Sequence, residues 1–76
     1  MVTLDSLPLQ TPARVTQVAE GPVTAKLAEM GLIPEQNVTV VFKAPLGDPI
    51  AVQVADFVLS LRKKEARLVT VNAEQA

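Results

Sequence analysis

Residues 38–61, VTVVFKAPLGDPIAVQVADFVLSL, contain three segments in which large apolar side chains occupy every second position. A period of two is typical of β-strands that bury one face. The side chains expected to point into a core are those of Val38, Val40, Phe42, Ile50, Val52, Val54, Phe57, Leu59 and Leu61. Proline and glycine interrupt the pattern at residues 44–49, and Ala55-Asp56 separates the last two segments. The stretch therefore predicts three antiparallel strands joined by one loop and one tight turn.

Upstream of residue 34 the spacing of apolar residues becomes that of a helix. After Gly21-Pro22, the residues Val23, Leu27 and Met30 form one apolar stripe at i, i+4 and i+7. Proline suits the first position of a helix, and Gly31 stands where a left-handed C-cap is expected. We interpret the stripe as a core contact. A groove that reads proline-rich peptides would need aromatic side chains, and the chain has no Trp or Tyr.

The flanking segments supply the remaining elements. Ala13–Ala19 predicts a strand with Val15 facing inward, residues 63–66 predict a helical turn, and Leu68–Val71 predicts a last strand. An extended lead-in is predicted before them, and the leucines expected to dock it onto the core are Leu4, Leu7 and Leu9.

These elements predict one domain over residues 1–76, mainly β with one short α-helix, in a small antiparallel barrel of about five strands. We expect closure of the sheet to remove its exposed edges. Residues 72–76 are expected to form a frayed tail. The chain has no cysteine, so its stability depends on the packing of this one core.

The composition argues against several classes of function. The chain contains no His and no Cys, which are the usual ligands for zinc, copper and iron and the usual catalytic groups near neutral pH. Its three glycines, Gly21, Gly31 and Gly47, cannot form a phosphate-binding glycine loop. We therefore expect no enzyme, no cofactor and no metal site, and we interpret Glu29, Asp48 and Asp56 as solvated surface acids.

Charge and hydropathy indicate a cytoplasmic protein that binds neither nucleic acid nor the bilayer interior. The net charge of -1 gives no general attraction to nucleic acid, and both aromatic residues, Phe42 and Phe57, are assigned to the core, where no base can stack on them. The longest run of Val, Ile, Leu, Ala, Met or Phe is three residues, as in Val40-Val41-Phe42, whereas a spanning helix needs about 20. The first residues lack the pattern of a signal peptide.

Two segments are candidates for partner binding. The loop at residues 44–49 is stiffened by two prolines and carries an apolar side chain at its tip. A basic cluster, Arg62, Lys63, Lys64 and Arg67, follows the third strand. The candidate residues are Pro45, Leu46, Gly47, Asp48, Pro49, Arg62, Lys63 and Lys64. The basic side chains suit an acidic partner surface or membrane headgroups. The structural alternatives are a hairpin connection in which Asp48 accepts from local N–H groups, and a solvated turn in which Glu65 offsets charge.

Three segments together resemble one family. LAEMGLIP at residues 27–34, APLGDPI at 44–50 and LRKKEA at 61–66 occur in the order and at the spacing of the FeoA family, and the resemblance covers residues 4–71. It implies an SH3-like barrel and a cytosolic accessory role in bacterial ferrous iron uptake. The implied partner is FeoB, a membrane permease with a cytosolic GTP-binding domain, so the chain is expected near a membrane without spanning it.

Two alternatives stay open. Similar barrels form the C-terminal domains of metal-dependent repressors, although this chain is expected to lack their DNA-binding domain. A self-associating scaffold, or a weak homo-oligomer, is the other alternative, because a small barrel gains stability by association. Two positions depart from the family pattern: Glu35 follows Pro34 where glycine is usual, and Asp56 occupies a turn where glycine is frequent. We expect Asp56 to tolerate the left-handed backbone of that turn.

Overall fold

The computed structural model describes residues 2–73, which form one six-stranded antiparallel sheet with two short helices. The elements are β1 (Val2–Thr3), a 3-10 turn (Leu4–Ser6), β2 (Ala13–Val18), α1 (Thr24–Glu29), β3 (Asn37–Lys43), β4 (Ile50–Val54), β5 (Phe57–Leu61), α2 (Lys63–Ala66) and β6 (Val69–Ala73). The strand order is β1-β6-β2-β3-β4-β5, and every neighbouring pair is antiparallel. The predicted mainly β architecture is confirmed, with one strand more than expected.

A single hydrophobic core packs against one face of the sheet. Alternate residues of the strands are buried, as the period-two pattern predicts, and Val15, Val40, Val52 and Val54 are all 0% exposed. Among residues 2–73 no polar or charged side chain is buried. The core therefore contains only aliphatic side chains, and the branched valines of neighbouring strands pack against one another.

The extended lead-in before β2 forms a strand of the sheet in addition to packing on the core. Val2 and Thr3 pair with Val71 and Thr70 and so form β1. The 3-10 turn that follows places Leu4 in the core with no exposed surface. The predicted docking leucines divide into two groups: Leu4 and Leu7 are buried, as predicted, whereas the expectation for Leu9 is wrong, because Leu9 is 50% exposed.

The helix ends as its sequence predicts. Leu27 is buried, and Val23 and Met30, at the two flanking positions of α1, pack half-buried against the same core. Gly31 has a φ of 95°, and its N–H donates to the carbonyl of Ala28 at 2.9 Å. The N–H of the next residue donates to the carbonyl of Leu27 at 2.9 Å, which completes a Schellman C-cap.

The expectation that Phe42 belongs to the core is wrong. The pairing of β3 with β4 shifts by one residue between Val40, opposite Val52, and Phe42, opposite Ala51. This β-bulge reverses the alternation, because side chains change face at each residue and the extra residue is not paired. Phe42 therefore lies on the outer face and is 57% exposed.

Phe57 is only partly a core residue. It pairs with the buried Val54, so it lies on the predicted face, but it sits at the rim of the core and is 47% exposed. With both phenylalanines accessible, the case against nucleic-acid binding rests on the net charge of -1 and on the small number of aromatic residues.

Left-handed backbone occurs at one of the two positions where the family pattern places glycine and beside the other. Glu35 has a φ of 79°, which agrees with the expectation that this position suits glycine. In the turn between β4 and β5 the positive φ of 52° belongs to Ala55 and not to Asp56. The expectation for Asp56 is therefore wrong: the turn needs left-handed backbone at its first central residue, where aspartate's tolerance has no effect.

We expect Ala55→Gly to stabilise the protein by about 0.5–1 kcal/mol. Left-handed backbone costs a residue with a Cβ roughly 1–2 kcal/mol, and the added freedom of glycine in the unfolded chain offsets about 0.5–1 kcal/mol of that gain. The measurement is the free energy of unfolding in urea. Asp56→Gly is the matched control, since Asp56 has no positive φ and the same replacement there is expected to destabilise. Equal effects at the two positions would contradict the prediction.

The ends of the sheet differ from the predicted closed barrel. β1 and β5 end the strand order and are not paired with each other, so the sheet of residues 2–73 keeps two edges. The predicted tail is also too long, because β6 continues through Asn72 and Ala73, opposite Arg14 and Ala13. Its last positions, 74–76, lie outside the described residues.

Candidate partner-binding site

The loop between β3 and β4 is closed by two backbone hydrogen bonds. The N–H of Ala44 donates to the carbonyl of Pro49 at 3.0 Å, and the N–H of Gly47 donates to the carbonyl of Ala44 at 2.7 Å. Gly47 has a φ of 83°, as the turn chemistry of the sequence predicts. The loop therefore has an ordered conformation that depends on its own backbone and not on a partner.

Leu46, at the tip of this loop, is 92% exposed. The exposed fraction of every other exposed large apolar residue in the described range is 57% or less. The predicted exposure of Leu46 is confirmed. Neither the hydrogen bonds of the turn nor the core depends on this side chain, so a shorter or polar side chain would serve the fold equally well.

Asp48 joins the loop to α2. Its Oδ1 accepts from the N–H of Lys63 at 3.0 Å and lies 3.8 Å from a terminal nitrogen of Arg62. The structural alternative, in which Asp48 accepts from local N–H groups, differs from this contact, since Lys63 is 15 positions further along the chain. The physical reason is that the first N–H groups of a helix lack partners within it, and a carboxylate is a favourable acceptor for them.

Glu65, a residue of α2 itself, stabilises the start of the same helix. Its Oε1 accepts from the N–H of Arg62 at 2.9 Å, and its Oε2 lies 3.7 Å from the Nζ of Lys26 on α1. Glu65 thus offsets basic charge, as expected, and it also holds α2 against its surroundings. Together, residues 45–49 and 62–64 form one continuous surface, which we call the loop–α2 surface.

The cationic side chains of the loop–α2 surface are accessible. The Arg62 side chain is 64% exposed, and Lys64 is exposed, while Lys63 is half-buried. Within residues 2–73, neither lysine forms an ion pair. Arg67, which the sequence groups with them, belongs elsewhere: its Nε lies 3.4 Å from the carboxylate of Asp5. The structure therefore joins the loop to Arg62 and Lys63 through Asp48, whereas the side chain of Arg67 pairs with Asp5.

A second accessible apolar region was missed by the sequence interpretation. Phe42 and Val58 are each 57% exposed on the outer face of the sheet. Two signals in the sequence could have revealed them. Three consecutive apolar residues, Val40-Val41-Phe42, break the strict alternation at the bulge, and Phe57-Val58-Leu59 places an apolar side chain on both faces of β5.

Residues 2–73 contain no group of three or more His, Cys, Asp and Glu side chains placed to hold a metal ion. In the same range, neither helix has the length and apolar character needed to cross a bilayer.

These features define an SH3-like barrel domain with one ordered, protruding loop. Comparison of the sequence with families gives a match to the FeoA domain over residues 2–73. The chain belongs to the FeoA family, which is linked to ferrous iron transport.

Solved structures agree with this assignment. The iron(II) transport protein A from Clostridium thermocellum is 36% identical with a TM-score of 0.90, and the match covers 95% of this chain and 45% of that protein, so the chain spans less than half of its length. FeoA from Stenotrophomonas maltophilia, an SH3 domain protein determined with zinc, is 35% identical with a TM-score of 0.82, covering 95% and 91%. IdeR from T. acidophilum is 21% identical with a TM-score of 0.83, covering 96% and 34%, and shares the fold.

Proposed function

We propose that this protein is a non-catalytic cytoplasmic accessory of bacterial ferrous iron uptake that docks on a FeoB-type membrane permease through the loop–α2 surface. Membership of the FeoA family supports the link to iron transport. The observation that carries the docking surface is Leu46, an apolar side chain that is 92% exposed on a loop held in place before any partner arrives.

Order in the loop favours binding for an energetic reason. A flexible loop loses conformational entropy when it docks, whereas a loop already closed by hydrogen bonds loses little. Asp48 adds to this order by tying the loop to α2. Leu46 is then presented as an anchor for an apolar pocket, in the way that a few buried side chains supply most of the binding energy at protein interfaces.

The basic side chains favour an acidic partner for the loop–α2 surface. In the described part of the chain, neither Lys63 nor Lys64 forms an ion pair. The side chain of Arg62 forms one ion pair there, with the carboxylate of Asp48. Rim charges of this kind mainly raise the association rate toward an acidic surface, and salt weakens the effect. The proposed pocket on the permease is therefore apolar at its centre and acidic at its border.

We expect Leu46→Ala to weaken binding to the cytosolic region of the permease about tenfold, which corresponds to about 1.4 kcal/mol of lost apolar contact. The free energy of unfolding is expected to change by less than about 1 kcal/mol, because the side chain is exposed. Isothermal titration with the purified cytosolic region measures the first quantity, and urea unfolding measures the second.

Leu9→Ala is the matched control, since it removes the same atoms from another exposed leucine outside the loop–α2 surface. It is expected to leave binding unchanged. Equal affinity of the Leu46→Ala variant and the wild type would contradict the proposed surface. Failure of the wild type to bind either the cytosolic region or the full-length permease at low salt would contradict the proposed partner.

The likeness of the fold to IdeR supports a second candidate. In this alternative the barrel is a regulatory domain that acts on a metal-dependent repressor. Titration with such a repressor, at the same protein concentrations as with the permease, distinguishes the two. Binding to the repressor alone would favour regulation, and binding to the permease alone would favour transport.

A further inference from the structure

The edge strand β5 leaves one side of its backbone unpaired within residues 2–73. It pairs with β4 on one side and ends the strand order on the other. The opposite edge, β1, is only two residues long, which is one of the ways in which proteins blunt an edge. β5 is five residues long and contains no charged residue, no proline and no glycine, so it lacks the usual protection.

The register of β5 identifies the backbone groups at this edge. The two-residue turn closes on the pair Val54 and Phe57, and such turns close on a hydrogen-bonded pair. Bonding to β4 then alternates, so Phe57, Leu59 and Leu61 face β4. The N–H and C=O groups of Val58 and Ser60 point away from the sheet. They form no backbone hydrogen bond to another element in the described range, and both residues are exposed.

We propose that β5 pairs antiparallel with β5 of a second copy of this chain, about a twofold axis at Leu59. In this register Val58 lies opposite Ser60 of the second copy, and Ser60 lies opposite Val58. These are the residues whose backbone groups point outward, so the two symmetric pairs exchange four hydrogen bonds. The sheets of the two copies become one continuous sheet.

Charge complementarity favours a second copy over an unrelated strand. The strand is flanked by Asp56 at one end and Arg62 at the other. In the proposed register each Asp56 lies opposite Arg62 of the second copy, so twofold symmetry produces two opposite-charge pairs. Both side chains are available: Asp56 forms no ion pair within residues 2–73, and the Arg62 side chain is 64% exposed beside Asp48.

The small interface of the proposed dimer makes the association weak. One pair of five-residue strands buries less than the roughly 1,200 Å² at which stable interfaces begin. Leu59, which packs half-buried on the core, meets its own copy at the axis, and Phe57 meets Leu61. The dimer is therefore concentration-dependent, and it does not depend on whether the permease is the partner of the loop–α2 surface.

Sedimentation equilibrium of the full chain over a concentration series tests the proposal. The wild type is expected to dimerise reversibly, and Val58→Lys is expected to raise the dissociation constant at least about tenfold by placing a charge at the edge. Gln53→Lys is the matched control, because Gln53 is the cross-strand neighbour of Val58 and adds the same charge on an inner strand. A wild type that stays monomeric up to about 1 mM, or equal weakening by both variants, would overturn the proposal.

Charge exchange tests the register itself. Asp56→Arg and Arg62→Asp each place like charges opposite one another, so each variant alone is expected to dimerise at least about tenfold more weakly than the wild type. Mixing the two variants restores opposite charges at both ends and is expected to restore dimers that contain one copy of each. No recovery in the mixture would overturn the register, even if a substitution at Val58 prevented folding.

Amide hydrogen exchange in the wild type is a second test of the register. Exchange at the amides of Val58 and Ser60 is expected to slow as the protein concentration rises. Unchanged exchange at both amides would also overturn the proposed register.

Discussion

Replacing Leu4 with alanine is expected to lower the free energy of unfolding by about 2–5 kcal/mol, the usual cost of removing a buried leucine from a close-packed core. Leu4 has no exposed surface, and the 3-10 turn that carries it packs against α2 and β6. A domain of this length has a total stability of about 4–11 kcal/mol at typical values per residue, so the variant loses a large fraction of it. Urea unfolding followed by circular dichroism measures the loss.

Leu9→Ala provides the comparison within the same segment. Leu9 is 50% exposed, so the same truncation is expected to cost less than about 1 kcal/mol. If the two variants unfolded at the same urea concentration, the lead-in would not be part of the core, and the pairing of β1 with β6 would have no energetic importance.

Gly31→Ala is expected to destabilise the protein by about 2–4 kcal/mol, from two separate causes. Gly31 has a φ of 95°, where a residue with a Cβ incurs roughly 1–2 kcal/mol of strain. A Cβ at this position would also lie 3.0 Å from the Cγ1 of Val54, a core side chain with no exposed surface, and overpacking of that kind costs about 1–3 kcal/mol. The measurement is again the free energy of unfolding in urea.

Two other glycines separate these causes. Gly47 has a φ of 83° but no atom within 4 Å of an added Cβ, so Gly47→Ala is expected to show the backbone cost alone, about 1–2 kcal/mol. Gly21 has neither a positive φ nor a close contact, so Gly21→Ala is expected to be neutral or slightly stabilising. A Gly31→Ala variant no less stable than the Gly47→Ala variant would show that Val54 moves aside at little cost.

Much of the barrel follows from local patterns in the sequence. The alternation of Ile50, Val52 and Val54 places β4 in the sheet with its buried face assigned correctly, because no irregularity interrupts the pairing of β4 with β5. The stripe before Gly31 likewise predicts both a helix and its C-cap. In each case the signal lies within a few consecutive residues.

The features that were missed depend on partners distant in sequence. Phe42 leaves the core because the pairing with β4 slips by one residue, and only the geometry of the two strands determines where the slip occurs. The acceptor role of Asp48 depends on the N–H of Lys63, which folding brings close. β1 is too short to show a period, and it exists because Val71 and Thr70 offer it a pairing edge.

The candidate site was predicted residue by residue more successfully than as a unit. Exposure of Leu46 and left-handed backbone at Gly47 follow from turn chemistry. That the loop and the basic cluster share one surface does not follow, because the sequence treats them as two segments. The division of the cluster, with Arg67 beside Asp5, has the same origin.

The pairing of β1 with β6 has a consequence for how the domain can be connected to others. Val2 lies opposite Val71, so β1 and β6 are neighbouring strands and the described part of the chain enters and leaves the sheet at neighbouring points. Folds with adjacent ends tolerate circular permutation and insertion into other proteins, since a single junction on the surface accommodates both connections. The same architecture makes up 34% of IdeR, a much longer protein. The capacity to be inserted into other proteins therefore follows from the sheet topology and does not depend on the loop–α2 surface.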